Sequence, residues 1–209
     1  LRTVQIFLLL GSLTSFLLVG EYARASNVSS LDLLVFRSLN ALSGSSFLDA
    51  ALLAVTQLGT TVAWIALTVV LTALSKQGRK RVVVLLFATL VATELLVLTL
   101  KPLYQRRRPF ETLEVVVLAS GASSGFSFPS GHVLRSFAGS FMLVHLRRSV
   151  GYLLIVASVP VALSRVYLGL HYPSDALGSV LLAYILIELI ILAEGYLTLR
   201  RERMKPSPL

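Results

Sequence analysis

The stretch SRVYLGLHYPSD, Ser164 to Asp175, brings an arginine, a histidine and an aspartate together at the junction of two apolar runs. Two polar clusters precede it, KPLYQRRRP at Lys101 to Pro109 and PSGH at Pro129 to His132, each at the end of a hydrophobic stretch. Charge in such places is costly and needs a reason. Lys101, Arg108 and Arg165, drawn from three elements, would form a pocket of converging positive charge that is stable only when an anion fills it. Phosphate is the natural guest, because the guanidinium fork meets its oxygens in pairs while lysine supplies a point charge. Ser130, Gly131 and His132 follow Pro129 and open a span, so their backbone N–H groups can face the same anion with the helix dipole behind them. Gly131 permits close approach, and Ser130 also suits a helix N-cap.

His171 and Asp175 are four residues apart with Pro173 between them, which puts His171 before a helix and Asp175 in its first turn. A carboxylate there can accept from one imidazole nitrogen, fix the tautomer and leave the other nitrogen as a nucleophile. His132, arriving from another span, can protonate a leaving alkoxide and then help activate water. No cluster of Asp, Glu, His or Cys has metal-ligand spacing, so neither metal nor cofactor is expected. The chain has no cysteine, which excludes disulfides and a thiol nucleophile.

The elements that must position these groups are membrane spans. With 209 residues, 56% hydrophobic, 14% charged and a mean hydropathy of +0.82, the chain is too apolar for a soluble domain of its size. Its net charge of +9 sits between hydrophobic segments, which points to orientation in a bilayer and not to nucleic acid. Apolar segments at about 4–20, 58–75, 81–100, 131–147, 150–168 and 176–199 predict an all-α, six-span, single-domain membrane protein over the whole chain. Between the first two, Leu31, Leu34, Val35, Leu39 and Leu42 recur at helical spacing opposite Asp32, Arg37, Asn40 and Ser43. That pattern suits an interfacial helix or an extension of the second span. The first segment is read as a retained span, with a cleaved signal peptide as the alternative. ASGASSGFSFPSG at 119–131 is a Gly/Ser loop suited to a mobile gate.

Parity tests whether the clusters belong together. Lys101 ends the third span, His132 starts the fourth, Ser164 and Arg165 end the fifth, and His171 and Asp175 start the sixth, so all face one side. Arg2, Lys76, Arg79, Lys80, Arg81, Arg147, Arg148, Arg200, Arg201, Arg203 and Lys205 crowd the other, which the positive-inside rule makes cytoplasmic. Both termini are then cytoplasmic, and the clusters open on the extracytoplasmic face of a cytoplasmic membrane. Glu94, two helical turns before Lys101, is an intramembrane acid that either lines a substrate cleft, holds a base, or packs as a neutral hydrogen-bonded group. Arg106, Phe126 and Phe128 are further cleft candidates, although Arg106 and Arg107 also suit interfacial anchoring. His145 falls at the cytoplasmic end, Tyr167 and Tyr172 suit an aromatic belt, and Glu188 and Glu194 have no evident partner.

The three clusters resemble the signature motifs of the type 2 phosphatidic acid phosphatase superfamily: Lys, six residues, Arg-Pro; Pro-Ser-Gly-His; and Ser-Arg, five residues, His, three residues, Asp. Lys101 to Pro109, Pro129 to His132 and Ser164 to Asp175 match at every defining position. The resemblance implies a metal-independent hydrolase of lipid phosphates in which His171 attacks phosphorus, Asp175 orients it and His132 serves as acid and then base. Lys101, Arg108, Arg165, Ser130 and Gly131 would bind phosphate oxygens. It also implies lipid substrates, with polyprenyl diphosphate ahead of phosphatidylglycerophosphate or phosphatidic acid, since a small chain has little with which to read a large headgroup. A vanadate-dependent haloperoxidase and a non-enzymatic phosphate-binding transporter are the competing classes. Oligomeric state is not legible in the sequence.

Overall fold

The computed structural model describes residues 2–25, 28–75, 78–118 and 125–204, and these residues are helical without a strand. The order is α1 (Arg2–Arg24), α2 (Ser30–Asn40), α3 (Ser46–Thr56), a 3-10 turn (Gln57–Gly59), α4 (Thr61–Leu74) and α5 (Arg79–Tyr104). A short α6 (Pro109–Thr112) follows, then α7 (Gly131–Leu146), α8 (Arg148–Tyr167) and α9 (Pro173–Arg203). Boundaries follow local chemistry. Ser29 Oγ accepts from Asp32 N to cap α2, Thr60 Oγ1 accepts from Ala63 N to cap α4, and Pro173 opens α9 at a position where no N–H is needed.

α7 is the central post, packed by α5, α8 and α9. Its Val133, Leu134, Ala138, Met142 and Leu143 are almost fully buried. Small residues let neighbours come close: Gly139 receives the Trp64 ring of α4, Gly151 of α8 lies on the backbone of Leu143 and Val144, and Ser140 meets Ser158 at 3.1 Å. Large apolar side chains such as Phe7, Leu18, Val69, Leu98, Leu153 and Leu192 point outward and are more than half exposed, a surface suited to lipid.

Among the described residues four helices, α1, α5, α8 and α9, are long and apolar enough to cross a membrane. A fifth span is obtained if α3, its turn and α4, bent by 60°, count as one. The sequence reading has six segments; the remaining one is α7, whose 16 residues extend about 24 Å.

The apolar segment read at 58–75 forms α4, and a separate helix, α3, and the turn at Gln57–Gly59 precede it. α2 forms where an amphipathic helix was read: Asp32 and Asn40 are buried while Leu31, Leu34 and Leu42 are more than half exposed. Asn40 explains part of this orientation, since its amide nitrogen donates to the Val116 and Tyr167 carbonyls and its oxygen accepts from Val116 N, tying a loop to the end of α8. Of the expected gate at 119–131, residues 119–124 lie outside the described residues.

Candidate active site

The junction of α8 and α9 turns back sharply, with Gly169 at φ +79° and both Leu170 N and His171 N bonded to the Arg165 carbonyl. This holds His171 over the first turn of α9, where Asp175 is fully buried. Asp175 Oδ2 lies 3.4 Å from His171 Nδ1, accepts from Tyr172 N at 2.9 Å and receives the Ser127 hydroxyl in a short hydrogen bond. Asp175 Oδ1 receives Arg106 Nη1 at 2.5 Å. Nδ1 is therefore the side of the imidazole tied to the carboxylate, and Nε2 is the nitrogen available to a substrate. Burial pulls His171 down to about 3 against the opposing pull of Asp175, so the ring is neutral at ordinary pH.

Arg106 is a structural brace rather than a headgroup contact. It is buried, donates to Asp175 and, through Nη2 at 2.7 Å, to Asp32 Oδ2, and stacks on Tyr172 with its Cζ 4.3 Å from the ring centroid. Burial works against its charge, but Asp175 and Asp32 more than offset that and its pKa is raised. Asp32 also binds Ser174 N at 2.9 Å and the Ser174 hydroxyl, so α2, the α5–α6 connection and α9 meet at one carboxylate. Tyr172 is buried beside it and Tyr167 bonds Asp49 Oδ1 at 2.5 Å, so neither belongs to an aromatic belt.

The cationic side is built differently. Arg108 is 1% exposed, yet its Nε donates to the Gly125 carbonyl at 2.7 Å and its Nη1 to the Leu170 carbonyl at 3.3 Å. Arg165 Nη1 donates to Thr56 Oγ1 at 3.0 Å, while among the described residues its buried Nε, like the buried Oγ of Ser130, has no partner. Lys101, in the last turn of α5, is half-buried. Among the described residues no carboxylate forms an ion pair with Lys101, Arg108 or Arg165. Ser130 stands at the N-cap of α7 but makes no capping bond; its buried Oγ is unpartnered while its N–H is held by Ser179 Oγ at 2.8 Å. Gly131 and His132 follow in the first turn. His132 lies within electrostatic reach of Arg165, Lys101 and His171, with Gly59 packed against its Cβ. A cluster of cations with unused buried donors is suited to an anion.

The remaining candidates fall elsewhere. Glu94 accepts from Arg135 Nη1 at 2.9 Å and Thr61 Oγ1 at 2.8 Å, so it holds a base. Phe128 is fully buried between Phe16 and Tyr104, and Phe126 is half-buried. His145 and Glu194 meet Arg81 at the opposite end of the bundle, which gives Glu194 a partner. Sequence reasoning missed Ser127, Asp32 and Arg135. Ser127, three residues before Ser130, was the most findable, because a polar residue so close to PSGH must lie near the same helix start.

A sequence profile described as the PAP2 superfamily matches residues 81–198. The chain is similar to an undecaprenyl-diphosphatase of Bacillus subtilis strain 168, 30% identical over 159 residues, 73% of this chain and 78% of that one. It is also similar to a protein of Escherichia coli strain K12 provisionally named an undecaprenyl-diphosphatase, 34% identical and covering 74% and 78% of the two chains. Its fold is similar to the crystal structure of a transmembrane PAP2-type phosphatidylglycerolphosphate phosphatase from Bacillus subtilis, with a TM-score of 0.74, 24% identity and coverage of 96% and 98%.

Proposed function

The chain belongs to the PAP2 superfamily, and from that premise we propose that it is a membrane hydrolase of lipid phosphates acting through a phosphohistidine, with polyprenyl diphosphate as its first substrate. The observation that carries this reading is the meeting of a neutral, carboxylate-held His171 with unpartnered donors on Arg165 and Ser130. In the first step His171 Nε2 bonds to the terminal phosphorus while the bridging P–O bond breaks, and His132 hands its proton to the leaving oxygen. In the second, His132 takes a proton from water as that water attacks the phosphohistidine, releasing inorganic phosphate and restoring His171. Lys101, Arg108, Arg165, Ser130 and the α7 N-terminus neutralise the equatorial oxygens, so charge stabilisation comes from fixed basic groups and not from a metal.

Relatives named undecaprenyl-diphosphatase support the diphosphate choice, and the structural neighbour named for phosphatidylglycerolphosphate keeps that lipid, with phosphatidic acid, as runner-up. The whole chain forms one domain in a cytoplasmic membrane, spanned by α1, α4, α5, α7, α8 and α9, with α2 at the extracytoplasmic interface beside the site and both ends cytoplasmic. Cysteine at Glu114 should then react with an impermeant thiol reagent in intact cells and cysteine at Lys80 should not; the reverse pattern overturns the topology.

The test of function is phosphate release by the purified protein from a panel of lipid mono- and diphosphates in EDTA. Turnover of diphosphate in chelator is the expected result. Activity that vanishes in EDTA and returns with Mg²⁺ would sink the metal-free mechanism, and phosphate binding without release from any lipid would make the protein a carrier.

A further inference from the structure

Arg135 is a cation beside the site that none of the three clusters contains. It lies one turn into α7, three residues beyond His132 and four beyond Gly131, and so on their face of the helix. Its Nε donates to the Gly59 carbonyl at 3.0 Å and its Nη1 to Glu94 Oε1 at 2.9 Å, while among the described residues Nη2 has no hydrogen-bond partner. The break before α4 supplies that carbonyl, because Ala63 N, which would reach Gly59 O in a continuous helix, goes to Thr60 Oγ1 instead. The guanidinium lies under the first turn of α7: a Cβ on Gly131 would stand 3.2 Å from Nη1 and 3.4 Å from Nη2. It is also within electrostatic reach of Lys101, His132 and Arg165. Glu94 offsets this fourth positive charge, but Nη2 remains free to meet a larger anion held by the other three.

Direction decides what that anion is. The attacked phosphorus must sit between His171 and the cations at the mouth, while the lipid chain must leave toward the bilayer. A second phosphate on the same lipid therefore lies between the two, deeper along α7 by up to one turn of about 5.4 Å. Arg135 occupies that level. We propose that Arg135 binds the phosphate that stays on the lipid and selects diphosphate over monophosphate substrates, with Glu94 as its counter-ion in the empty site. Glu94 has a second partner in Thr61 Oγ1 and a side chain 35% exposed, so it keeps its own bonding when Arg135 turns Nη2 to a phosphate oxygen. Cleavage leaves the electron pair of the broken P–O bond on that same retained phosphate, and Arg135 meets the growing charge. A diphosphate thus leans less on the proton from His132 than a monophosphate ester does.

This inference rests on the proposed lipid phosphate hydrolysis, and the experiment separates the two. Purified full-length protein is assayed in micelles on farnesyl diphosphate and farnesyl monophosphate, which share one chain. Arg135→Gln should lower kcat/KM for the diphosphate by about 100-fold, the scale of one lost charge-stabilising donor, and barely change it for the monophosphate. Arg135→Lys should recover part of the diphosphate rate, and Glu94→Gln, which removes the competing charge, should lower KM for the diphosphate alone. Equal losses on both substrates, from either Arg135→Gln or Glu94→Gln, would make the pair a structural brace and overturn the proposal. Wild-type protein that cleaves only the monophosphate overturns it too while leaving the phosphatase reading intact; cleavage of neither overturns that reading.

Discussion

The two sides of the site differ in how completely their polar atoms are bonded. Around Asp175 every partner is in place before any substrate arrives: Arg106, Ser127, Tyr172 N and His171 all converge on one carboxylate. Around Ser130 and Arg165, buried donors stand idle, and Arg108 is met only by carbonyl dipoles. The difference assigns the sources of order. His171 is held by the fold itself, whereas the cationic side is held apart by the fold with donors left open for an anion, as expected of a site prepared for charge that develops elsewhere. One side contributes stability to the empty protein and the other draws on it.

The contrast breaks most visibly at Arg106. Arg106→Ala strands Asp32 and Asp175 as buried, uncompensated charges, and should destabilise the protein by about 3–5 kcal/mol in chemical denaturation while cutting turnover on every substrate. The Arg106→Ala/Asp32→Asn pair should lose less than the sum of its parts, because the second change removes a charge the first leaves bare. Additive losses would mean the two residues do not act as one brace.

A pH series probes the nucleophile side next. His171 takes its proton at about 3 when folded but near the ordinary 6.5 when unfolded. The unfolded chain therefore binds the proton first as pH falls, and stability from this group, full above about 6.5, is lost progressively toward 3. Turnover should show no loss attributable to His171 between pH 7 and about 5, read as the difference between wild-type and Asp175→Asn profiles. An acid limb near 6.5 that moves with Asp175→Asn would contradict a buried, neutral His171.

The cationic side responds to ligand instead. Phosphate or vanadate at about 100 times its Kd should raise stability by about 2.7 kcal/mol, seen as a higher melting temperature. Arg165→Gln should abolish that gain while leaving the ligand-free protein no less stable, since a buried cation with an idle donor has been removed. The smallest effect is expected at the far end of the bundle. Arg81→Ala, which opens an exposed pair with Glu194, should change stability by about 1 kcal/mol or less and leave turnover untouched.

How much of this was legible in the sequence depends on the kind of interaction. The site's membership followed from spacing, because Lys101, Arg108, Ser130, Arg165, His171 and Asp175 are placed by helix ends that Pro and Gly mark. Apolar runs located the long helices for the same reason. Asp32 was legible only as part of a polar helix face, because its partners Arg106 and Ser174 are distant in sequence. Arg106 looked like an anchor because its carboxylate partners are distant in sequence. Arg135 was passed over inside an apolar run, and the break at Gly59 that feeds it a carbonyl arises from Thr60 competing with the backbone, a local choice with no hydrophobic signature.

The contact between Asp32 and Ser174 joins positions 142 apart in the chain. A chain made from its N-terminus has α1 and α2 in place long before α9 exists. Arg106 becomes available to Asp32 midway through that interval, but Ser174 and His171 come only at its end. α9 thus brings both the carboxylate that holds His171 and the serine that clasps α2. One helix closes the site from two directions at once, and a chain lacking α9 has His171 without the group that orients it.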